Sequence, residues 1–251
     1  MSKNNLMIAF LVVLFFPFTT SALSSDDEFY LIDQETKYFK TIEYLNDKNS
    51  VSLYSDNNFS KTYEITKEEY DSALDNNISP LGTGVINTTY KEMTTSISSN
   101  GNVYRYKNIL NWKKMPATRS YDIIGIGYLG SVKAKTNISF SQRSCTSLTN
   151  CTTTTSGSIQ KFSTGVGVSF KLPEGNISNL TQTLYFDVEK NTTSTVVRQT
   201  AYGDYSHATR SITYDNAKKY NVSGSGIILN TSIKSYYDEI DYAKATWSGS
   251  W

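Results

Sequence analysis

Histidine occurs once in this 251-residue chain, cysteine twice, and proline and methionine four times each. With His207 as the sole imidazole, any Ser-His-Asp scheme has to use it, with Asp204 or Asp215 as the orienting carboxylate. No Gly-x-Ser-x-Gly elbow supplies the nucleophile, because Ser169 lies in Gly-Val-Ser-Phe and Ser225 in Ser-Gly-Ser-Gly with no helix to follow. Two cysteines and one remote histidine are too few soft ligands for a zinc site, and no looped Asp-x-Asp-x-Asp-Gly pattern supports calcium. The Gly224–Gly226 stretch lacks the lysine and helix of a phosphate loop and runs into Ile227-Ile228-Leu229, which predicts a bulge or tight bend. No metal and no cofactor is therefore expected. Charge is scarce too, at 19% of residues, and the lysines are scattered, which argues against a nucleic acid partner.

What is present begins with a leader. Lys3 precedes an apolar run from Leu6 to Phe18, and Thr20-Ser21-Ala22 supplies small residues for a peptidase. About thirteen apolar residues fall short of the ~20 of a spanning helix, so cleavage near Ala22 and a secreted mature chain are expected. In an exported protein, Cys145 and Cys151 are expected to close a small disulfide loop.

The charges are segregated. Between Asp26 and Asn77, thirteen acids face five lysines, a net of −8; from Ile78 to Trp251, eighteen Lys or Arg face ten acids, a net of +8. This suggests an acidic pro-region or small subdomain against a basic body. The expected division is a signal peptide at 1–22, an acidic segment at 23–78, a linker at 79–84 and a main domain at 85–251.

Nineteen tyrosines and abundant threonine favour pleated surfaces, and the expected fold is mainly β, an antiparallel β-sandwich with a small N-terminal α+β segment. In the acidic segment, Phe29–Ile32 and Val51–Tyr54 are β-like, and Thr66-Lys67-Glu68-Glu69 is a capping box that predicts a helix over 67–74. Asn100-Gly101 predicts a hairpin between Thr88–Ser98 and Val103–Trp112. Ser120–Leu129 is apolar enough for the middle of a sheet. Alternation over Val132–Phe140 and Gly165–Leu172 predicts further strands, followed by candidates at 181–189, 193–201, 209–214, 219–222 and 226–229. Ser232–Ile240 has the look of one or two helical turns.

Four segments carry a resemblance: Trp112-Lys113-Lys114-Met115-Pro116, Arg119 to Gly127, Tyr202-Gly203-Asp204-Tyr205-Ser206-His207-Ala208, and Ser223 to Leu229. Together they resemble a group of uncharacterised exported β-rich proteins of Gram-positive bacteria, over roughly residues 90–251. No established activity or catalytic residue attaches to that group, so the resemblance implies export and β architecture alone.

Candidate site residues are mostly aromatic. Tyr202, Tyr205, Tyr236, Tyr237, Trp247 and Trp251, with His207, crowd the last fifty residues, and Tyr and Trp suit the recognition of a protein or a cell-surface glycan. The leading expectation is thus an exported, non-enzymatic binding module. One alternative is a membrane-active hairpin toxin, with Val132–Gln142 and Lys161–Leu172 as arms of the ~9 to 11 residues that a tilted membrane strand needs. Another is a secreted hydrolase using His207, or using Asp187 and Glu189, which at i and i+2 stand about 7 Å apart on one strand face. Asp238, Glu239 and Asp241 form a further acidic cluster.

Overall fold

The computed structural model describes residues 29–45, 59–75 and 85–251. The leader at 1–22, the β-like stretch Val51–Tyr54 and the linker at 79–84 lie outside the described residues. In chain order the elements are β1 (Tyr30–Leu45), β2 (Phe59–Ile65), α1 (Lys67–Asp75), β3 (Val85–Ser99), β4 (Tyr104–Lys114), β5 (Tyr121–Tyr128), β6 (Val132–Ala134) and β7 (Ser139–Cys145). There follow β8 (Cys151–Thr154), β9 (Ser158–Phe162), β10 (Gly165–Lys171), β11 (Asn179–Lys190), β12 (Arg198–Ser206), β13 (Tyr220–Ser223), β14 (Gly226–Leu229) and β15 (Asp241–Ser248).

These strands form an antiparallel β-sandwich. The larger sheet runs β2-β1-β3-β4-β11-β7-β8, with β6 also on β11; the smaller runs β15-β12-β5-β10-β9. Strict alternation drives the packing. On β3, Thr89, Lys91, Met93, Thr95, Ile97 and Ser99 face inward and their neighbours face out. Trp112, Tyr106, Leu110, Phe186, Ile124, Val168 and Phe170 fill the space between the sheets.

Local signals resolve as expected at several points. The Thr66 hydroxyl accepts from the Glu69 N–H at 3.2 Å and the Glu69 carboxylate accepts from the Thr66 N–H at 3.1 Å, which is a complete capping box at the start of α1. β3 and β4 form the hairpin, with Gly101 at φ 94° and the Asn100 side chain accepting from the Asn102 and Val103 N–H groups. Cys145 and Cys151 are disulfide-bonded across β7 and β8.

β5 is central, buried on both faces because the two-stranded ribbon β13–β14 lies on its outer side with a second cluster of Ile123, Ala208, Ile212, Tyr220, Val222 and Ile227. Glycines let this ribbon approach. A Cβ on Gly127 would stand 1.9 Å from the Ser223 carbonyl oxygen, so no side chain fits there. Gly224-Ser225 forms the ribbon's tight turn, between the paired Ser223 and Gly226.

Elsewhere tertiary structure overrides the local pattern. The described part of the acidic segment is no separate subdomain: β1 pairs with β3 from Tyr30↔Ser99 to Leu45↔Val85, so it is a full strand of the larger sheet. The 132–140 alternation splits into β6 and β7, both on β11. The proposed toxin arms do not form one hairpin, since β7 belongs to the larger sheet and β10 to the smaller. The strand expected at 193–201 begins at Arg198 and runs on to Ser206, pairing with β5 and β15, while 209–214 carries no strand. Only Lys234–Tyr236 of 232–240 is helical, as a single 3-10 turn.

Candidate functional site

One end of the inter-sheet space holds a closed group of ionisable side chains. Glu43 comes from β1, Lys91 from β3, Asp122 from β5, Tyr205 from β12 and Asp241 from β15, while His207 and Asp238 sit just outside strand ends. Each of these side chains is buried. Strand parity explains the placement: Lys91 shares the inward face of Met93 and Ile97, and Asp241 that of Ala243 and Ala245.

His207 is held between carboxylates. Its Nδ1 lies 3.1 Å from both Asp122 oxygens, and its Nε2 faces Glu43 Oε1 at 3.6 Å. Asp122 also accepts from the Tyr205 hydroxyl and from the Ala208 N–H at 2.9 Å. Glu43 accepts from Asn87 Nδ2 at 2.6 Å and from the Ala117 N–H at 2.8 Å. Burial alone would lower the imidazole pKa; the surrounding carboxylates of Asp122, Glu43 and Asp238 outweigh it and lift His207 to about 10. Burial likewise opposes ionisation of Glu43, yet His207, the Ala117 N–H and Asn87 hold its carboxyl below the usual range.

Lys91 is the second cation. Its Nζ stands 2.5 Å from Asp241 Oδ2 and 3.7 Å from Asp238 Oδ2, with the Trp112 and Tyr205 rings 5.0 and 5.2 Å away. Asp238 accepts from the Thr62 hydroxyl at 3.1 Å and the His207 N–H at 2.8 Å. Burial pushes the Asp238 and Asp241 carboxyls up, against the pull of Lys91.

As an active site this arrangement lacks parts. His207 Nε2 faces a carboxylate rather than a serine hydroxyl, and the proposed orienters are engaged elsewhere: Asp204 caps the Ile227 N–H, and Asp215 pairs with Lys218 at 2.9 Å on the surface. The orienting carboxylate is Asp122, hidden in the apolar run Tyr121–Tyr128. The Asp187 and Glu189 pair is two separate ion pairs, Asp187 with Arg105 at 2.8 Å and Glu189 with Lys133 at 3.2 Å. Of the acidic cluster near the end, Asp238 and Asp241 face Lys91, and Glu239 is exposed. Among the described residues no group of three or more His, Cys, Asp or Glu is arranged to hold a metal ion.

The aromatic candidates divide. Tyr205, His207 and Tyr237 are buried, Tyr205 and His207 completely, because β12 continues through Ser206 as an inner strand of its sheet. Tyr205 and His207 present nothing to a partner. Tyr202, Tyr236, Trp247 and Trp251 are half-buried. The tail is docked: Trp247 and Trp251 pack on Tyr104 at ring separations of 5.0 and 4.7 Å, and Trp251 exchanges backbone hydrogen bonds with Val196. Beside them Tyr30 and Val197 are exposed, and the register Tyr30↔Ser99↔Tyr104 puts Tyr30 on the face of Tyr104. Sequence reasoning missed Glu43, Lys91 and Asp122. The signal that finds two of them is a charged residue on the apolar parity of a strand.

No protein-family model and no curated protein matches the chain. Among solved structures it is similar to the full-length major pilin SpaD of Corynebacterium diphtheriae, at 7% identity and a TM-score of 0.34, covering 82% of this chain and 58% of the pilin. A second similarity, at 8% identity and a TM-score of 0.26, is to the structure reporting manganese lipoxygenase of Gaeumannomyces graminis and part of zonadhesin of Komagataella pastoris, covering 86% of this chain and 84% of that one. The chain thus spans little more than half of the pilin. Overlap this loose carries no functional argument.

Proposed function

We propose that the protein is an exported, non-enzymatic β-sandwich that presents a surface to a partner protein or cell-surface glycan. The observation that carries this reading is the burial of the one constellation with catalytic residue types among the described residues. His207, Asp122, Lys91 and Asp241 lie between the sheets where no substrate reaches them, and each faces a group of opposite charge. The polar cluster therefore organises the fold. The leader pattern and the Cys145–Cys151 disulfide support export, since such bonds persist outside the cytosol. No helix among the described residues is long and apolar enough to cross a membrane.

The surface that suits recognition is the aromatic end around Tyr30, Val197 and the docked Trp247 and Trp251, where large apolar side chains meet solvent beside polar tips. The test is retention of labelled protein on cells of the producing organism and on cells it encounters. Tyr30→Ala with Val197→Ser is expected to lower retention at least tenfold with unchanged melting temperature, while Leu148→Ser, on the exposed disulfide loop, is expected to leave it alone. Equal retention of all three proteins removes the aromatic end from the reading.

A further inference from the structure

The contact between Lys91 and Asp241 is closer than an ordinary ion pair and badly aimed as one. Nζ and Oδ2 are 2.5 Å apart, yet neither atom makes a well-directed hydrogen bond to any partner. Both side chains are sealed from solvent, with accessibilities of 0% and 2%. Burying a charged pair is costly unless its remaining valences are satisfied, and here they are not. Two apposed groups, an amine and a carboxyl, in a dry aromatic pocket have a lower-energy alternative.

We propose that Lys91 and Asp241 are joined by an amide bond, an isopeptide cross-link formed within the folded chain. The amine nitrogen of Lys91 attacks the carboxyl carbon of Asp241; the new C–N bond forms, one C–O bond breaks, and water leaves with that oxygen. The ammonium and carboxylate together hold the atoms of one amide and one water, so no oxidant, reductant or activating group is required. Asp238 carries the protons. Its Oδ2 lies 3.7 Å from Lys91 Nζ, about half an ångström beyond hydrogen-bond reach, so a small side-chain movement brings it to the amine, where it takes a proton and returns it to the departing oxygen. Four carboxyls, Glu43, Asp122, Asp238 and Asp241, share two cations here, and burial favours a proton on the Asp238 and Asp241 pair.

Position supplies the drive. Amide formation in water is unfavourable because water competes, but groups held in reacting geometry reach effective molarities of ~10⁵ to 10⁸ M. The shed water has a short way out, since a surface depression of about 290 Å³ is lined by Ser60, Thr209, Tyr237 and Asp238. Condensation also removes one positive and one negative charge from the sandwich interior. The product ties β3 in one sheet to β15 in the other.

The test is mass spectrometry of the whole mature chain under denaturing, reducing conditions, followed by protease digestion. The expected result is a mass below that of the unmodified mature sequence by one water, and a branched peptide joining the Lys91 and Asp241 segments. Lys91→Met should restore the full mass, and Asp238→Asn should slow or abolish the water loss while leaving Lys91 and Asp241 in place. The wild-type digest stands even where a variant fails to fold. Linear peptides for both segments, each at unmodified mass, overturn the proposal; so does a water loss that persists in Lys91→Met, which would mark a cyclised aspartate elsewhere.

Discussion

Raising the pH from 8 to 9.5 is expected to destabilise this protein through one side chain, His207. Its folded pKa is about 10 against an ordinary value of 6.5, so the folded state holds a proton that the unfolded chain has given up. The stabilisation is complete below pH 6.5 and is lost as the pH rises through 10. Across pH 8 to 9.5 the two titration curves diverge by enough to remove about 2 kcal/mol, because the unfolded imidazole is already neutral and only the folded one still titrates. Most other groups contribute little in this window. Asp204 and Asp241, raised to about 7 by burial, have finished titrating below it, and the buried tyrosines stay protonated in the fold, so only their unfolded counterparts, at an ordinary 10, add a smaller loss of the same sign near its upper end.

The assay is urea unfolding at fixed ionic strength. With a slope of about 2 kcal/mol per M, the midpoint should fall by about 1 M between pH 8 and 9.5. His207→Gln, neutral throughout but still able to donate to Asp122, should begin lower and show only the small fall that the tyrosines cause. The chain's single histidine also makes its carbon-13 ring signals unambiguous, so the titration itself can be followed directly. A flat wild-type midpoint, or ring signals that titrate near 6.5, would refute the claim that the carboxylates outweigh burial at this site.

Three further outcomes follow from the geometry. The sequence separation of 150 between Lys91 and Asp241 makes loop closure worth about 5 kcal/mol, so the proposed cross-link should raise Tm by about 10 to 20 °C over Lys91→Met in calorimetry; equal values would mean that the bond does not constrain the unfolded chain. Reducing Cys145–Cys151, which closes a loop of only six residues' separation, should cost about 2 kcal/mol, read as a small drop in Tm with dithiothreitol. Gly127→Ala should lose about 1 to 3 kcal/mol or more by displacing the β13–β14 ribbon, seen as faster amide exchange at Val222 and Ile227, while Gly175→Ala, facing open space at φ 88°, should cost only about 1 kcal/mol of backbone strain.

Much of the β architecture is legible residue by residue. The capping box at Thr66–Glu69, the Asn100-Gly101 hairpin, the central Ser120–Leu129 run and the disulfide are local signals, and each acts over a few residues whose energetics are settled by their neighbours. The β1–β3 pairing is different, because it joins residues about fifty apart and nothing in the acidic composition of 26–77 encodes which strand it will meet. The ionic cluster was illegible for a related reason. Glu43, Asp122 and Lys91 become partners of His207, Asp238 and Asp241 only when both sheets are assembled, and a lone lysine on a threonine-rich strand reads as solvated surface. Parity was the available clue: Lys91 lies two residues before Met93 and six before Ile97, on a face that alternation commits to the interior.

The segregation of charge along the chain also acquires a physical meaning. The acidic β1 places Glu43 against His207 in the core, and near its start Asp33 and Glu35 accept the Thr246 and Lys244 N–H groups of β15 at 2.6 and 2.7 Å. Those N–H groups belong to the free edge of the smaller sheet, the kind of edge that otherwise recruits a strand from another molecule. The acidic strand therefore does two jobs, supplying a counter-charge at one end and blunting an edge along its length. Cutting the chain between 79 and 84 would leave β1 hydrogen-bonded along β3, so cleavage there would not by itself release the segment. Replacing Asp33 and Glu35 with Ala should instead free the β15 edge, and the outcome to measure is a concentration-dependent dimer in sedimentation velocity. A double variant that stays monomeric at high concentration would mean that the twist of β15, and not its two carboxylate caps, keeps the edge unpaired.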